Sequence, residues 1–332
     1  MKAAYVENFC DATGIQYGDL PDPVPGAGEV LVEVEATGVD MVDTFVRSGA
    51  WRTEVSFPLA LGRDLVGTIA AAGPGVGGLA VGDRVWTNSA GYGGRPGATA
   101  EFAVVPRDRL YRLPAGADPM AFVAALHPGA TAHGALAGLA RVQPGETVVV
   151  IGGNGAVGMC LVQLAAARGA RVIAVVREER AAGALRQLGA QQVTVSPDAG
   201  QALAGARANA TDGVDVVVDT TGRADFSGAP GLLNQRGRIV LVAGSGRRIE
   251  LDQWRFYLSE LQLLGFIMSG MTVTELADAA EWINTRPAAN PLTVSVGQVL
   301  GFADAAEAHA MLERRELPRM ADGTVGRLVL RP

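Results

Sequence analysis

Cysteine is almost missing from this chain: Cys10 and Cys160 are the only two among 332 residues. Two thiols cannot build a disulfide framework, and there is no closely spaced cysteine cluster to hold a structural zinc. Both are expected to be buried thiols in a reducing cytoplasm. Histidine is scarce, at three residues, and aromatics make up 5%. Basic charge is in deficit too. A net charge of -6 and a pI near 5.2 leave no basic face for nucleic acid or an anionic membrane. No uninterrupted apolar run reaches the length of a membrane helix, and the opening MKAAYVENF lacks the apolar core of a secretory signal. What is left is an ordinary core-forming composition, 48% hydrophobic and 19% charged, in a chain long enough for two domains.

Glycine, by contrast, is plentiful at 44 residues, and one group of glycines is placed with purpose. A β-branched run from Thr147 to Ile151 reads as a buried strand; Gly153, Gly155 and Gly158 then form G-x-G-x-x-G and open an apolar helix. A second strand, Arg171 to Val176, completes a βαβ unit, the setting in which this pattern binds a dinucleotide. The first glycine allows a tight reversal, the second lets the backbone approach a pyrophosphate, and the third brings helix and strand together. Gly153, Asn154, Gly155, Ala156, Val157 and Gly158 are therefore candidate cofactor contacts.

The end of the second strand selects the cofactor. An NAD site places a carboxylate there for the ribose 2'-hydroxyl, whereas an NADP site needs positive charge for the 2'-phosphate. Val176 is followed by Arg177, and a guanidinium binds phosphate through a fork of donors. The expectation is NADPH, with Arg177 and Arg180 as the clamp. The alternative left open is that Arg177 is solvated and Glu178 or Glu179 takes the ribose.

Two textures divide the chain. From Met1 to about Pro114, short alternating strands such as Val30 to Val34 and Val66 to Ala71 are broken by glycine and proline clusters, an all-β pattern. From about Asp118 to Phe266, six strands alternate with helical segments: Thr147 to Ile151, Arg171 to Val176, Gln192 to Val195, Val214 to Asp219, Gly237 to Ala243 and Leu261 to Phe266. That is the α/β, doubly wound pattern. Two helical segments, Val273 to Thr285 and Phe302 to Arg315, precede a closing strand, Gly326 to Leu330, expected to return to the first domain. The expected division is 1–117 with 268–332 as one domain and 118–267 as the other. Nucleotides bind at the carboxyl ends of such strands, so Thr220, Gly244 and Ser245 are further candidates for the cofactor cradle.

The motifs PGAGEVLVEVEATGVDMVDTFVRSGAW, LGRDLVGTIAAAGPGV, VGDRVW, GATAEFAVVP, VDVVVDTTG, GRIVLVAG and GTVGRLVLRP, with the glycine turn among them, span nearly the whole chain. In this order they resemble the zinc-independent quinone oxidoreductase branch of the medium-chain dehydrogenase/reductase superfamily. The resemblance implies a GroES-like β domain packed on a Rossmann domain with the active site between them. It implies dimerisation through the last Rossmann strand, here LQLLGF, and a nicotinamide-positioning role for Thr131.

By the same resemblance, the places of the three catalytic zinc ligands of metal-dependent relatives are filled by Asp40 in GVD, Arg63 in GRD and His127 in LHPGAT. Arg63 has no lone pair to give and would repel a dication, so no metal is expected. An Asp40–Arg63 ion pair is expected where the metal would stand. His127 beside it would give the site a cation for a substrate carbonyl and an imidazole able to donate a proton near neutral pH. Two other readings stay open: the three residues are structural, or Asp40 and His127 hold a metal. Asp64 is expected to satisfy backbone or arginine partners. Trp51 stands where related enoyl reductases often carry a tyrosine proton donor; an indole supplies no acidic proton but can stack on a flat substrate. His133 is expected to pack, His309 has no assigned role, and Met268 and Met271 suit either pocket or core.

The function expected is hydride transfer from NADPH to a quinone or conjugated carbonyl by a cytoplasmic homodimer. The alternatives are an enoyl or 2-alkenal reductase on a biosynthetic intermediate, and a non-catalytic NADPH-binding protein.

Overall fold

The structure, a computed structural model, describes residues 1–286 and 291–332. Eight strands come first: β1 (Lys2–Val6), β2 (Gln16–Asp19), β3 (Glu29–Gly38), β4 (Leu59–Ala60), β5 (Leu65–Ala72), β6 (Arg84–Thr87), β7 (Phe102–Pro106) and β8 (Tyr111–Arg112). The all-β expectation for this region needs one correction, because α1 (Met41–Ser48) interrupts it directly after β3. Its start could be read from the Asp-x-x-Asp spacing: Asp43 at the third helical position accepts from the N–H of Asp40 at 2.8 Å, half of a capping box. Gly49, at φ 73°, ends the helix in the left-handed region that favours glycine.

Then come α2 (Pro119–His133) and six parallel strands: β9 (Thr147–Ile151), β10 (Arg171–Val176), β11 (Gln192–Val195), β12 (Val214–Asp219), β13 (Leu233–Leu241) and β14 (Gln262–Gly265). They lie in the order β11-β10-β9-β12-β13-β14, so the strand order reverses about β9, where ligands bind in such sheets. Successive side chains feed opposite faces. Val148 and Val150 enter the core that includes α3 (Ala156–Ala167), while Val149 and Ile151 enter the core that includes α5 (Ala202–Ala206). The remaining short helices are α4 (Ala182–Gln187) and α6 (Gln253–Leu258). The fifth strand starts at Leu233 rather than Gly237, as a register shift after Val214 lets Leu233 pair ahead of the regular ladder.

The chain then adds α7 (Val273–Asn284), β15 (Val296–Gly301), α8 (Ala305–Arg314) and β16 (Arg327–Arg331). β16 inserts between β15 and β3, closing a seven-stranded sheet with strands from both ends of the chain. That pairing sets the end of β3, and hence Asp40, beside the start of β16. α2 packs on α3 and on α7, and it also touches β3, β5 and β16, so one helix carries residues from one sheet system to the other. Met268 and Met271 are buried with Ala130, Leu276 and Ala279, which places both in a core.

Candidate active site

The glycine turn leaves β9 through Gly152, at φ 81°, a glycine one place before the fingerprint that the spacing did not single out. Gly158 makes the closest approach: a Cβ there would lie 2.2 Å from the carbonyl oxygen of Gly152, so only hydrogen lets α3 sit on the turn. Gly155 caps α3 without a side-chain hydrogen bond, and no acidic residue occupies the first helical turn. The free N–H groups and the positive end of this twelve-residue helix suit a pyrophosphate. Ala156 and Val157 line that first turn and are partly exposed. Thr220 works from behind, its hydroxyl donating to the Ile151 carbonyl at 2.8 Å, so it buttresses the turn. Ser245 does the same for the neighbouring loop by donating to the Gly222 carbonyl. A Cβ on Gly222 would meet Gly244 at 2.8 Å, so these two loops touch backbone to backbone. Asn154 faces the other sheet system: its amide donates to Gly323 O at 3.0 Å, and its carbonyl accepts from Val325 N. Arg177 and Arg180 are exposed beyond the end of β10, with no hydrogen bond or ion pair among the described residues.

A buried charged compartment lies at the carboxyl end of β3. Asp40, Asp43, Arg63, Asp64 and Arg327 are all buried, and His127 is partly so. The expected Asp40–Arg63 ion pair is not formed. Asp40 Oδ1 instead accepts from Arg327 Nη1 at 2.8 Å, because β16 lies antiparallel to the end of β3 and delivers that guanidinium from 287 residues away. Room for it comes from Gly38, where a Cβ would stand 3.0 Å from Arg327 Nη2 and 3.3 Å from Asp64 Oδ2. Arg63 turns the other way, donating to Ser269 Oγ at 2.6 Å and lying 4.7 Å over the ring of Tyr92. Tyr92 also accepts from the indole N–H of Trp51 at 3.2 Å.

The protonation states follow from burial and neighbours. Burial is the largest influence on Asp40 and opposes its charge, but Arg327, His127 and Asp64 together overcome it and hold the carboxyl at about 2. Asp43 is pushed up to about 7 by burial and by Asp40, and Asp64 is raised well above its usual range by the same two causes. Burial lowers His127 to about 4, with Arg63 and Arg327 adding to the effect against the attraction of Asp40. The expected proton-donating imidazole is therefore neutral at physiological pH. Pro128 interrupts the ladder of α2 here, and the His127 N–H reaches Asp64 Oδ2 at 3.1 Å. One turn on, Thr131 Oγ1 is buried and, like His127 Nδ1, has no hydrogen-bond partner among the described residues.

Residues 26–115 match the family model described as alcohol dehydrogenase GroES-like domain, and residues 156–285 match that of zinc-binding dehydrogenase. A quinone oxidoreductase of Mus musculus is 31% identical over 293 residues, which cover 88% of this chain and 87% of that protein. The chain belongs to the quinone oxidoreductase branch of the medium-chain dehydrogenase/reductase superfamily. A mycobacterial structure complexed with NADPH is 33% identical to the reductase, with a TM-score of 0.81 and full coverage of both chains. A mycocerosic acid synthase-like polyketide synthase of Mycobacterium tuberculosis is 32% identical over 280 residues, 83% of this chain but 13% of that protein.

Whether this reductase suits a resident zinc can be judged from its donors. Asp40, Asp64 and His127 each offer a ligand atom, all within 4.8 Å of one another. Asp40 Oδ2, Asp64 Oδ1 and His127 Nδ1 also lack hydrogen-bond partners among the described residues. The surroundings oppose a dication. Arg327 already engages Asp40, Arg63 adds a second fixed positive charge near His127, and Asp64 favours its neutral acid, which can lend a proton to Asp40 instead. As a zinc pocket the set is a poor fit.

Arg327, Asp43, Ser269 and Tyr92 complete the site, and the sequence reading assigned none of them a role. An arginine inside the apolar run GRLVL was the available signal for Arg327; nothing local marks Ser269. His133 lies away from the compartment, its ring 5.9 Å from that of Trp282. His309 is buried in α8, where its Nδ1 lies 3.3 Å from Arg47 Nη1 of α1.

Proposed function

We propose that the reductase transfers hydride from NADPH to a quinone or conjugated carbonyl without zinc. The observation that carries this reading is a glycine turn ending in an uncapped helix, in one chain with a buried Asp40–Asp64–His127 set whose neighbours Arg327 and Arg63 already supply fixed positive charge. NADPH, when bound, supplies the hydride; the protein holds and orients it. The first turn of α3 takes the pyrophosphate, Arg177 with Arg180 takes the 2'-phosphate, and the free hydroxyl of Thr131 is available to the nicotinamide carboxamide. Arg63, anchored by Ser269, offers a guanidinium to the oxygen on which negative charge develops.

The test is a screen of quinones and enones with NADPH and NADH. Arg177→Ala is expected to raise KM for NADPH about tenfold, the loss of a charge-assisted hydrogen bond, and to leave NADH kinetics alone. Equal use of NADH and NADPH by the wild type would overturn the role of Arg177. Stoichiometric zinc in the active preparation would overturn the metal-free reading.

The likeness to a segment of a polyketide synthase favours a second acceptor class, an enoyl intermediate of biosynthesis, which the enone arm of the screen detects. A homodimer is part of the proposal, supported by β14 as the free edge of the parallel sheet with Leu263 exposed on it. The two free thiols, Cys10 and Cys160, accord with a cytoplasmic location.

A further inference from the structure

Conjugated-carbonyl reduction requires a proton as well as a hydride, and the residues first considered for it are unsuited. His127 is neutral, Trp51 supplies no acidic proton, and Asp43 and Asp64 are sealed at 5% and 0% exposure, where solvent cannot reload them at each turnover.

We propose that the phenolic hydroxyl of Tyr92 is the proton donor of this reductase. Three observations carry this. An indole N–H can only donate, so in the 3.2 Å contact with Trp51 the Tyr92 oxygen must accept. Its own proton then has no acceptor among the described residues and is free for a ligand. The guanidinium of Arg63 lies 4.7 Å over the ring, which holds the phenol beside that cation. Finally, Tyr92 is half-buried, so water can return its proton.

The local sequence is built for this placement. Tyr92 sits in the run Gly91-Tyr92-Gly93-Gly94, whose glycines have φ of 61°, 59° and 78°. A Cβ on Gly91 would lie 2.7 Å from Gly62 O, next to Arg63, so the loop meets that segment backbone to backbone. Gly93 N donates to Thr53 Oγ1 at 3.0 Å and Gly94 N to Glu54 O at 2.9 Å, which ties the tyrosine loop to the segment that follows Trp51.

The inference rests on the proposed hydride transfer to a conjugated acceptor. Hydride adds to the β-carbon of an enone, and the π electrons move to the carbonyl oxygen, which faces Arg63. The Tyr92 O–H bond then breaks, its proton goes to the enolate, and the phenolate takes a proton from water. A quinone accepts hydride to give a stabilised quinolate and needs no such donor.

Tyr92→Phe keeps the ring under Arg63 and removes only the hydroxyl. We expect it to lower kcat for an enone about 100-fold, the usual scale for a general acid. The fall with a quinone should be at least about tenfold smaller than that with an enone, because a quinone needs no such donor, and NADPH Kd by fluorescence titration should not change. In deuterium oxide, the stereospecific α-carbon label placed by the wild type should be scrambled by the variant. Unchanged enone turnover and label would overturn the proposal, as would an equal fall with enones and quinones, which would make the hydroxyl structural. If the wild type reduces neither class of acceptor, the hydride-transfer reading fails and takes this one with it.

Discussion

Asp43 shows how a single carboxyl can make folding depend on pH. Burial and the neighbouring Asp40 push it up to about 7, against an ordinary value of 3.8. Between those two values the folded chain holds a proton that the unfolded chain has lost. Its contribution to stability is therefore full below the unfolded value and is lost as pH rises through about 7. His127 and His309 act in the opposite sense. Held at about 4 and about 3 against 6.5, both chiefly by burial, they stay neutral in the fold, and their contribution is lost as pH falls below about 6.5. Asp43→Asn retains an acceptor for the Asp40 N–H but cannot titrate. Its stability relative to wild type should rise between pH 4.5 and pH 7.5, roughly the span of the shift, in urea unfolding series. Parallel pH profiles would remove Asp43 from this role. The same crowding explains why Asp43 escaped notice: an Asp-x-x-Asp spacing announces a helix start, not which charges will surround it.

Among the elements, the join of β9 to α3 is the most tightly specified. Adding a methyl group at Gly158 would place carbon 2.2 Å from the Gly152 carbonyl oxygen, so the helix must lift off the turn that aims it. Gly158→Ala should destabilise the protein by about 1–3 kcal/mol, the usual cost of overpacking. It should also weaken NADPH binding at least about tenfold in a fluorescence titration. Unchanged affinity would show that the helix end does not carry the pyrophosphate. A second constraint joins α1 to α8. Arg47 of α1 meets His309 of α8 at 3.3 Å and pairs with Glu313, and its Nε donates to Cys10 O. This clasp fixes the helix whose first residues frame the charged compartment, which gives His309 a structural part.

For the molecule as a whole, the decisive feature is a chain that leaves the β domain, builds a complete parallel sheet and returns. The return places Arg327 against Asp40 and the Gly323–Val325 loop against Asn154, so closure of the fold and assembly of the site are one event. Breaking a buried pair such as Asp40–Arg327 costs about 3–5 kcal/mol, which makes the last strand indispensable to the site as well as to the sheet. The parallel sheet ends at β14, where Leu263 is 40% exposed on an edge with no partner strand among the described residues. Leu263→Arg should convert the proposed dimer to monomer in sedimentation equilibrium. A wild type that sediments as a monomer would refute the dimer.

The periodicity of valines and the spacing of three glycines were enough to read a dinucleotide domain, because each acts through neighbours close in the chain. Linear order likewise revealed the two textures. Which charge meets which was settled only by folding. Asp40 takes Arg327 rather than Arg63 because strand pairing across 287 residues brings that guanidinium nearer, and His127 loses its proton because of what surrounds it. Electrostatic partnership depends on distance and burial in space, and neither is written in the order of residues.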